Sequence, residues 1–129
     1  MPRLVRTCVL LTAVALLAAL LPAGAFAADA GGPQARAAKG CNIRGQQRSL
    51  GPTYVIRLSV RRTSCRGAKR VVRAYHRCRY RRGGRRGRCP RVSGYRCSER
   101  RSGIRTQFDA RATCRRGGRR ISHTYTQNT

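Results

Sequence analysis

Residues 53–78 read TYVIRLSVRRTSCRGAKRVVRAYHRC, and the change of period inside this stretch decides the fold. Its first eight residues alternate: Tyr54, Ile56, Leu58 and Val60 fall on one face, Val55, Arg57 and Ser59 on the other. Preceded by the turn signal Gly51-Pro52, they predict a strand over 53–60 with one buried side. Thr63 or Ser64 then caps a helix over 65–78. Its apolar residues at 65, 68, 71, 72, 75 and 78 form an i, i+3/i+4 stripe with arginines opposite.

C-terminal to the helix, residues 80–90 read as an Arg/Gly loop. Residues 92–100 follow as a strand with Tyr95 and Cys97 on one face. Residues 106–114 alternate with Phe108, Ala110, Ala112 and Cys114 inward, and 121–126 place Ile121, His123 and Tyr125 on one face. Between these last two, Arg116-Gly117-Gly118-Arg119 reads as a two-residue hairpin turn of the primed type. The order β-α-β-β-β predicts an α+β domain, a small antiparallel sheet of about four strands packed by one helix.

Toward the N-terminus, residues 28–40 (ADAGGPQARAAKG) are small, polar and unpatterned, and read as a flexible leader to a single domain over 41–129. Residues 1–27 have the parts of a cleavable export signal: Arg3 and Arg6, the apolar run 8–21, Pro22, and the A-x-A site made by Ala25 and Ala27. The apolar run falls short of the about 20 residues a membrane span needs. Cleavage after Ala27 is expected, giving a secreted, extracellular protein with no transmembrane segment.

Cleavage removes Cys8 and leaves Cys41, Cys65, Cys78, Cys89, Cys97 and Cys114. An even number in a short exported chain implies a disulfide framework. No C-x-x-C occurs and only two histidines are present, so no metal site or cofactor is expected. A continuous helix separates Cys65 from Cys78 by about 20 Å, too far to bond. The domain holds only twelve Leu, Ile, Val and Phe residues. Apolar burial on that scale does not offset the chain entropy of a domain this small, so the oxidised chain is expected to fold and the reduced one not.

Charge is the dominant feature of the composition, with 30 Lys+Arg against 3 acidic residues. Loss of Arg3 and Arg6 leaves 28 against 3, about +25, and a field of that size draws anions. A GC-rich genome accounts for the excess of arginine over lysine, which is present only as Lys39 and Lys69, but not for the near-absence of acids. The sequence RRGGRR occurs twice, over 81–86 and 115–120. Its Arg81, Arg82, Arg85, Arg86, Arg115, Arg116, Arg119 and Arg120, together with the neighbouring Arg88, are candidate anion contacts, with two solvated turns as the plain alternative.

The motifs LSV-x3-SC-x2-A-x2-VV-x-AY, GY-x-C and FDA-x3-C with its following Gly hairpin lie within roughly 50–125. Together they resemble small secreted domains common in high-GC bacteria. The resemblance implies export and an α+β fold and brings no catalytic residues with it. Against that pattern Cys78 and Cys89 stand as an addition, which implies that they pair with each other and leaves Cys65–Cys97 and Cys41–Cys114 for the rest.

Chemistry-bearing residues are few. The acids are Asp29, Glu99 and Asp109, none of them in a recognisable catalytic motif. The expected function is a monomeric, non-catalytic domain adhering to anionic polymers, either cell-envelope material or nucleic acid. Because aromatic platforms are scarce, binding to nucleic acid would be independent of sequence and steeply salt-sensitive. Two alternatives stand beside it. One is a ribonuclease using His76 and His123 as acid and base; the other is a protease inhibitor presenting the loop 79–88, closed by Cys78–Cys89.

Overall fold

Local signals in the strand–helix stretch place one strand followed by one helix, each starting within a residue of its signal. The structure, a computed structural model, describes residues 37–129, so the expected export signal lies outside the described residues, as does the leader up to residue 36. The elements are β1 (Lys39–Gly40), β2 (Tyr54–Arg61), α1 (Cys65–Gly83), a 3₁₀ turn (Gly84–Arg86), β3 (Arg91–Val92), β4 (Tyr95–Gly103), β5 (Gln107–Arg116) and β6 (Arg119–Asn128). They form one antiparallel sheet in the order β1-β2-β6-β5-β4-β3, with α1 packed on one face. The architecture is α+β with one helix, as expected, but six strands replace the expected four or so.

The two extra strands are two-residue edge pieces. Lys39–Gly40, the end of the expected leader, pairs with Val60 and Ser59. Arg91–Val92 is split from β4 by a two-residue turn in which Ser93 and Gly94 take φ of +49° and +76°, the paired positive values of a type I′ hairpin. These short strands cover only Val60 and Ser59 of β2 and Arg96 and Tyr95 of β4, and they place Lys39 and Arg91 at the sheet's edges, where charge discourages pairing with another chain.

The first part of β2, up to Ile56, forms with its faces inverted relative to the alternation. The partners of β6 run Tyr54↔Thr126, Val55↔Tyr125, then Arg57↔Thr124, so Ile56 is an extra, bulged residue. Val55, Leu58 and Val60 are therefore buried, while Tyr54 and Ile56 stand exposed. The expected set Tyr54, Ile56, Leu58 and Val60 is corrected at its first two members, because one inserted residue reverses the parity of everything before it.

α1 begins where its cap signal lies: Ser64 accepts a hydrogen bond from the Gly67 N–H at 3.1 Å. It runs beyond the expected end at residue 78 to Gly83 and closes at Gly84, whose φ is +58°. The first half of the expected Arg/Gly loop is therefore helical. Its buried face comprises Ala68, Val71, Val72, Tyr75, His76, Cys78 and Arg79. Against it pack Ile121, His123 and Tyr125 of β6 with Phe108, Ala110, Ala112 and Cys114 of β5.

The disulfides are Cys41–Cys65, Cys78–Cys89 and Cys97–Cys114. The expected Cys65–Cys97 and Cys41–Cys114 are corrected. Cys97 and Cys114 are register partners on β4 and β5, with Cα atoms 4.0 Å apart on the helix-facing side, so they meet each other. The Cys41 N–H donates to the Leu58 carbonyl, which sets Cys41 beside β2 near the start of α1, where Cys65 lies. Each bridge thus ties together segments that secondary structure already brings close.

Candidate functional site

The two faces of the sheet differ sharply, and each gathers residues with chemistry. Under the helix lies a buried polar cluster. His76 from α1 and His123 from β6 are 0% and 1% exposed, with their Nε2 atoms 3.1 Å apart. Arg79, 0% exposed, donates from Nη1 to His76 Nδ1 at 2.8 Å, from Nε to the Gly87 carbonyl at 3.1 Å and from Nη2 to the Arg85 carbonyl at 2.6 Å. Its guanidinium also lies 4.9 Å from the centre of the Tyr125 ring, at cation–π range. Glu99, with 3% of its side chain exposed, accepts from Tyr75 and Arg101 and lies 3.8 Å from Arg79 Nε.

The network fixes the proton positions. A guanidinium can only donate, so His76 accepts at Nδ1 and carries its proton on Nε2, from which it donates to His123. The proton of His123 is then on Nδ1, which has no hydrogen-bond partner among the described residues. Burial depresses both imidazole pKa values. For His76 the neighbouring His123 and Arg79 add to that effect; for His123, held at about 3, Glu99 opposes it and Arg79 adds to it. Burial pushes the Glu99 carboxyl up, but hydrogen bonds from Arg101 and Tyr75 and the charges of Arg101 and Arg79 outweigh that and hold it below the ordinary range.

The structure thus brings His76 and His123 together but seals them under the helix as neutral rings, where no phosphodiester reaches them while the fold is closed. Their chemistry is linkage. A histidine whose folded pKa is lowered contributes stability that is complete above its unfolded value, near pH 6.5, and is lost as pH falls toward the folded one. Stability is expected to drop by ~1.4 kcal/mol per pH unit for each ring below about pH 6.5, with Glu99 adding to the loss only below its ordinary range. Denaturant titrations between pH 7.5 and 4 check this; a flat profile would contradict burial of the pair.

Among the described residues no helix covers the other face, and arginine, serine and threonine dominate it in register. Across the strands, Arg61, Arg120, Arg115, Arg96 and Arg91 are successive partners, so five arginines form one row at about 4.8 Å per step. Two residues along, Ser59, Ser122, Thr113 and Ser98 form a hydroxyl row. Two further along, Arg57, Thr124, Arg111 and Arg100 form the next. The two arginine-bearing rows are thus about 13 Å apart with hydroxyls between them. Like charges directly opposite on neighbouring strands destabilise a sheet, so this arrangement works against folding stability. Among the described residues, the only arginines in ion pairs with a carboxylate are Arg79 and Arg101, both with Glu99. The one acid on the open face, Asp109, accepts from Thr126.

The eight arginines of the RRGGRR repeats and Arg88 are all exposed but do not form one site. Arg81, Arg82, Arg85, Arg86 and Arg88 lie at the C-terminal end of α1, where Arg86 donates to the Arg105 carbonyl. Arg115, Arg116, Arg119 and Arg120 lie at the β5–β6 turn, near the helix start, and about 28 Å of helix separates the two groups. Only Arg115 and Arg120 belong to the open-face rows. The arginines missed were Arg57, Arg61, Arg91, Arg96, Arg100 and Arg111. Their signal was the outward half of each strand's alternation, as in Arg96-x-Ser98-x-Arg100. Among the described residues no cluster of three or more His, Cys, Asp or Glu side chains gathers to hold a metal ion, and no helix is long and apolar enough to cross a membrane.

No family model, curated protein or solved structure matches this chain.

Proposed function

We propose that this is an exported, non-catalytic domain that adheres to anionic polymers through the open face of its sheet. The observation that carries the reading is the placement of eight arginines (Arg57, Arg61, Arg91, Arg96, Arg100, Arg111, Arg115 and Arg120) in rows on one face that, among the described residues, no helix covers and no carboxylate pairs with. The outer side of α1 also carries arginines, among them Arg66, Arg70 and Arg77, but only the sheet aligns them in rows across strands. Long guanidinium side chains at about 4.8 Å spacing make a flat field of positive charge with bidentate donors, suited to repeated phosphate or carboxylate groups. Three disulfides fit an oxidising compartment outside the cytosol.

The alternatives draw less support. A ribonuclease needs its acid and base in contact with substrate, whereas His76 and His123 are sealed in the core. The inhibitor reading needs the 79–88 segment to be displayed, whereas Arg79 is wholly buried and residues up to Gly83 are helical.

The test compares two triple variants of equal charge, using a short single-stranded oligonucleotide and a purified anionic envelope polymer as probes. Arg91→Gln/Arg96→Gln/Arg115→Gln removes part of the open face. Arg81→Gln/Arg82→Gln/Arg85→Gln removes the same charge from the helix end. At ~0.7 of logarithmic salt slope per contact with a single strand, the first triple is expected to flatten the slope by about 2 and weaken binding about a hundredfold near 0.1 M salt. The second is expected to change the slope by well under one contact. Equal losses from both would mean that net charge alone, and not this face, does the binding.

A further inference from the structure

At one end of the open face four arginines enclose a basin. Arg57 and Arg111 flank Thr124 on one side of it; Arg61 and Arg120, direct partners across β2 and β6, form the other. The floor between them is the hydroxyl pair Ser59 and Ser122, and Ala38 closes the β1 side. The basin's volume is about 230 Å³, and among the described residues no acidic side chain lines it.

The chemistry of the lining selects among anions. A carboxylate offers two coplanar oxygens and one charge, enough for a single bidentate guanidinium. A phosphodiester within a polymer backbone likewise brings one charge. Four arginines from two rows, with hydroxyls between them, match a group carrying nearly two charges and three terminal oxygens, which is a phosphomonoester. The volume is several times that of a water molecule, about 30 Å³, and holds a phosphate with the first atoms of whatever carries it.

Resting on the reading of the open face as a polyanion surface, we infer that this basin is a phosphomonoester site, which seats a terminal phosphate while the arginine rows hold the chain behind it. The test uses the oxidised protein and two oligonucleotides of one sequence, one with a 5′-phosphate and one with a 5′-hydroxyl; glucose 6-phosphate serves as a free monoester. The phosphorylated strand is expected to bind about tenfold more tightly, the scale of one or two further neutralised charges near 0.1 M salt. Arg57→Gln/Arg111→Gln should erase that preference, the two strands then binding equally, beyond the general weakening that the loss of any two open-face arginines brings at ~0.7 of logarithmic salt slope each. Arg96→Gln, on the same face but outside the basin, should weaken both strands alike.

Absence of a preference, or a preference that survives Arg57→Gln/Arg111→Gln in a folded variant, would overturn the site. If neither strand binds but glucose 6-phosphate does, and the double variant abolishes it, the basin stands as a site for free monoesters and only the polymer reading fails. Competition by inorganic phosphate well above that by acetate at matched ionic strength is the further expected sign. Equal competition by the two would count against the inference.

Discussion

Full reduction of the three disulfides unfolds the domain at neutral pH. The bridges close separate, consecutive loops, with sequence separations of 24, 11 and 17. Loop-closure entropy assigns each about 3 kcal/mol and the set on the order of 9 kcal/mol. That total falls within the roughly 5–15 kcal/mol that stabilises an ordinary domain, while the core here is supplemented by buried polar groups and not by further apolar ones. Because the loops do not overlap, losing one bridge is expected to weaken the fold without abolishing it: Cys97→Ala/Cys114→Ala should lose about 3 kcal/mol and still unfold cooperatively. Circular dichroism and proton-NMR dispersion of the reduced, alkylated protein check the main expectation. Native dispersion in that sample would show that the sheet and helix hold without covalent help.

Glu99→Gln is expected to remove about 3–5 kcal/mol, the scale for breaking a buried ion pair from one side. Glu99 is the carboxylate to which Tyr75, Arg101 and Arg79 all turn. Its replacement leaves the wholly buried Arg79 guanidinium with no counter-charge, held only by the Gly87 and Arg85 carbonyls, His76 and the surrounding rings. Asp109→Asn, on the open face, is the control and should shift stability by under about 0.5 kcal/mol. Chemical denaturation of both variants at neutral pH separates the cases. Equal small shifts would mean that the cluster under the helix is held by its neutral hydrogen bonds alone.

The parts of this fold legible in the sequence were those with local causes. Ser64 caps α1 through a hydrogen bond three residues away. Gly117 takes the φ of +52° that a primed hairpin turn requires. The inward faces of β5 and β6 follow strict alternation. What escaped depended on partners distant in the chain. Ile56 looks like an ordinary inward strand residue until pairing with Thr124 and Tyr125 makes it a bulge. Arg79 looks like one more surface arginine; only the fold brings Glu99, His76 and the Gly87 carbonyl around it. The disulfide partners followed the sheet register, which no single strand encodes. The arginine rows were half legible: each strand shows its outward arginines, but only the register of β2, β6, β5, β4 and β3 aligns them.

That alignment makes the open face the centre of the account, and amide NMR mapping tests it most directly. Oxidised protein is titrated at low salt with a short single-stranded oligonucleotide as the probe polyanion. The predicted result is that shift changes concentrate at the outward residues of the middle strands, Ser59, Ser98, Arg111, Thr113, Ser122 and Thr124, and collapse together as salt is raised. Changes confined to the helix end around Arg81–Arg88 and to the turn at Gly117–Gly118, with the middle of the sheet silent, would contradict it.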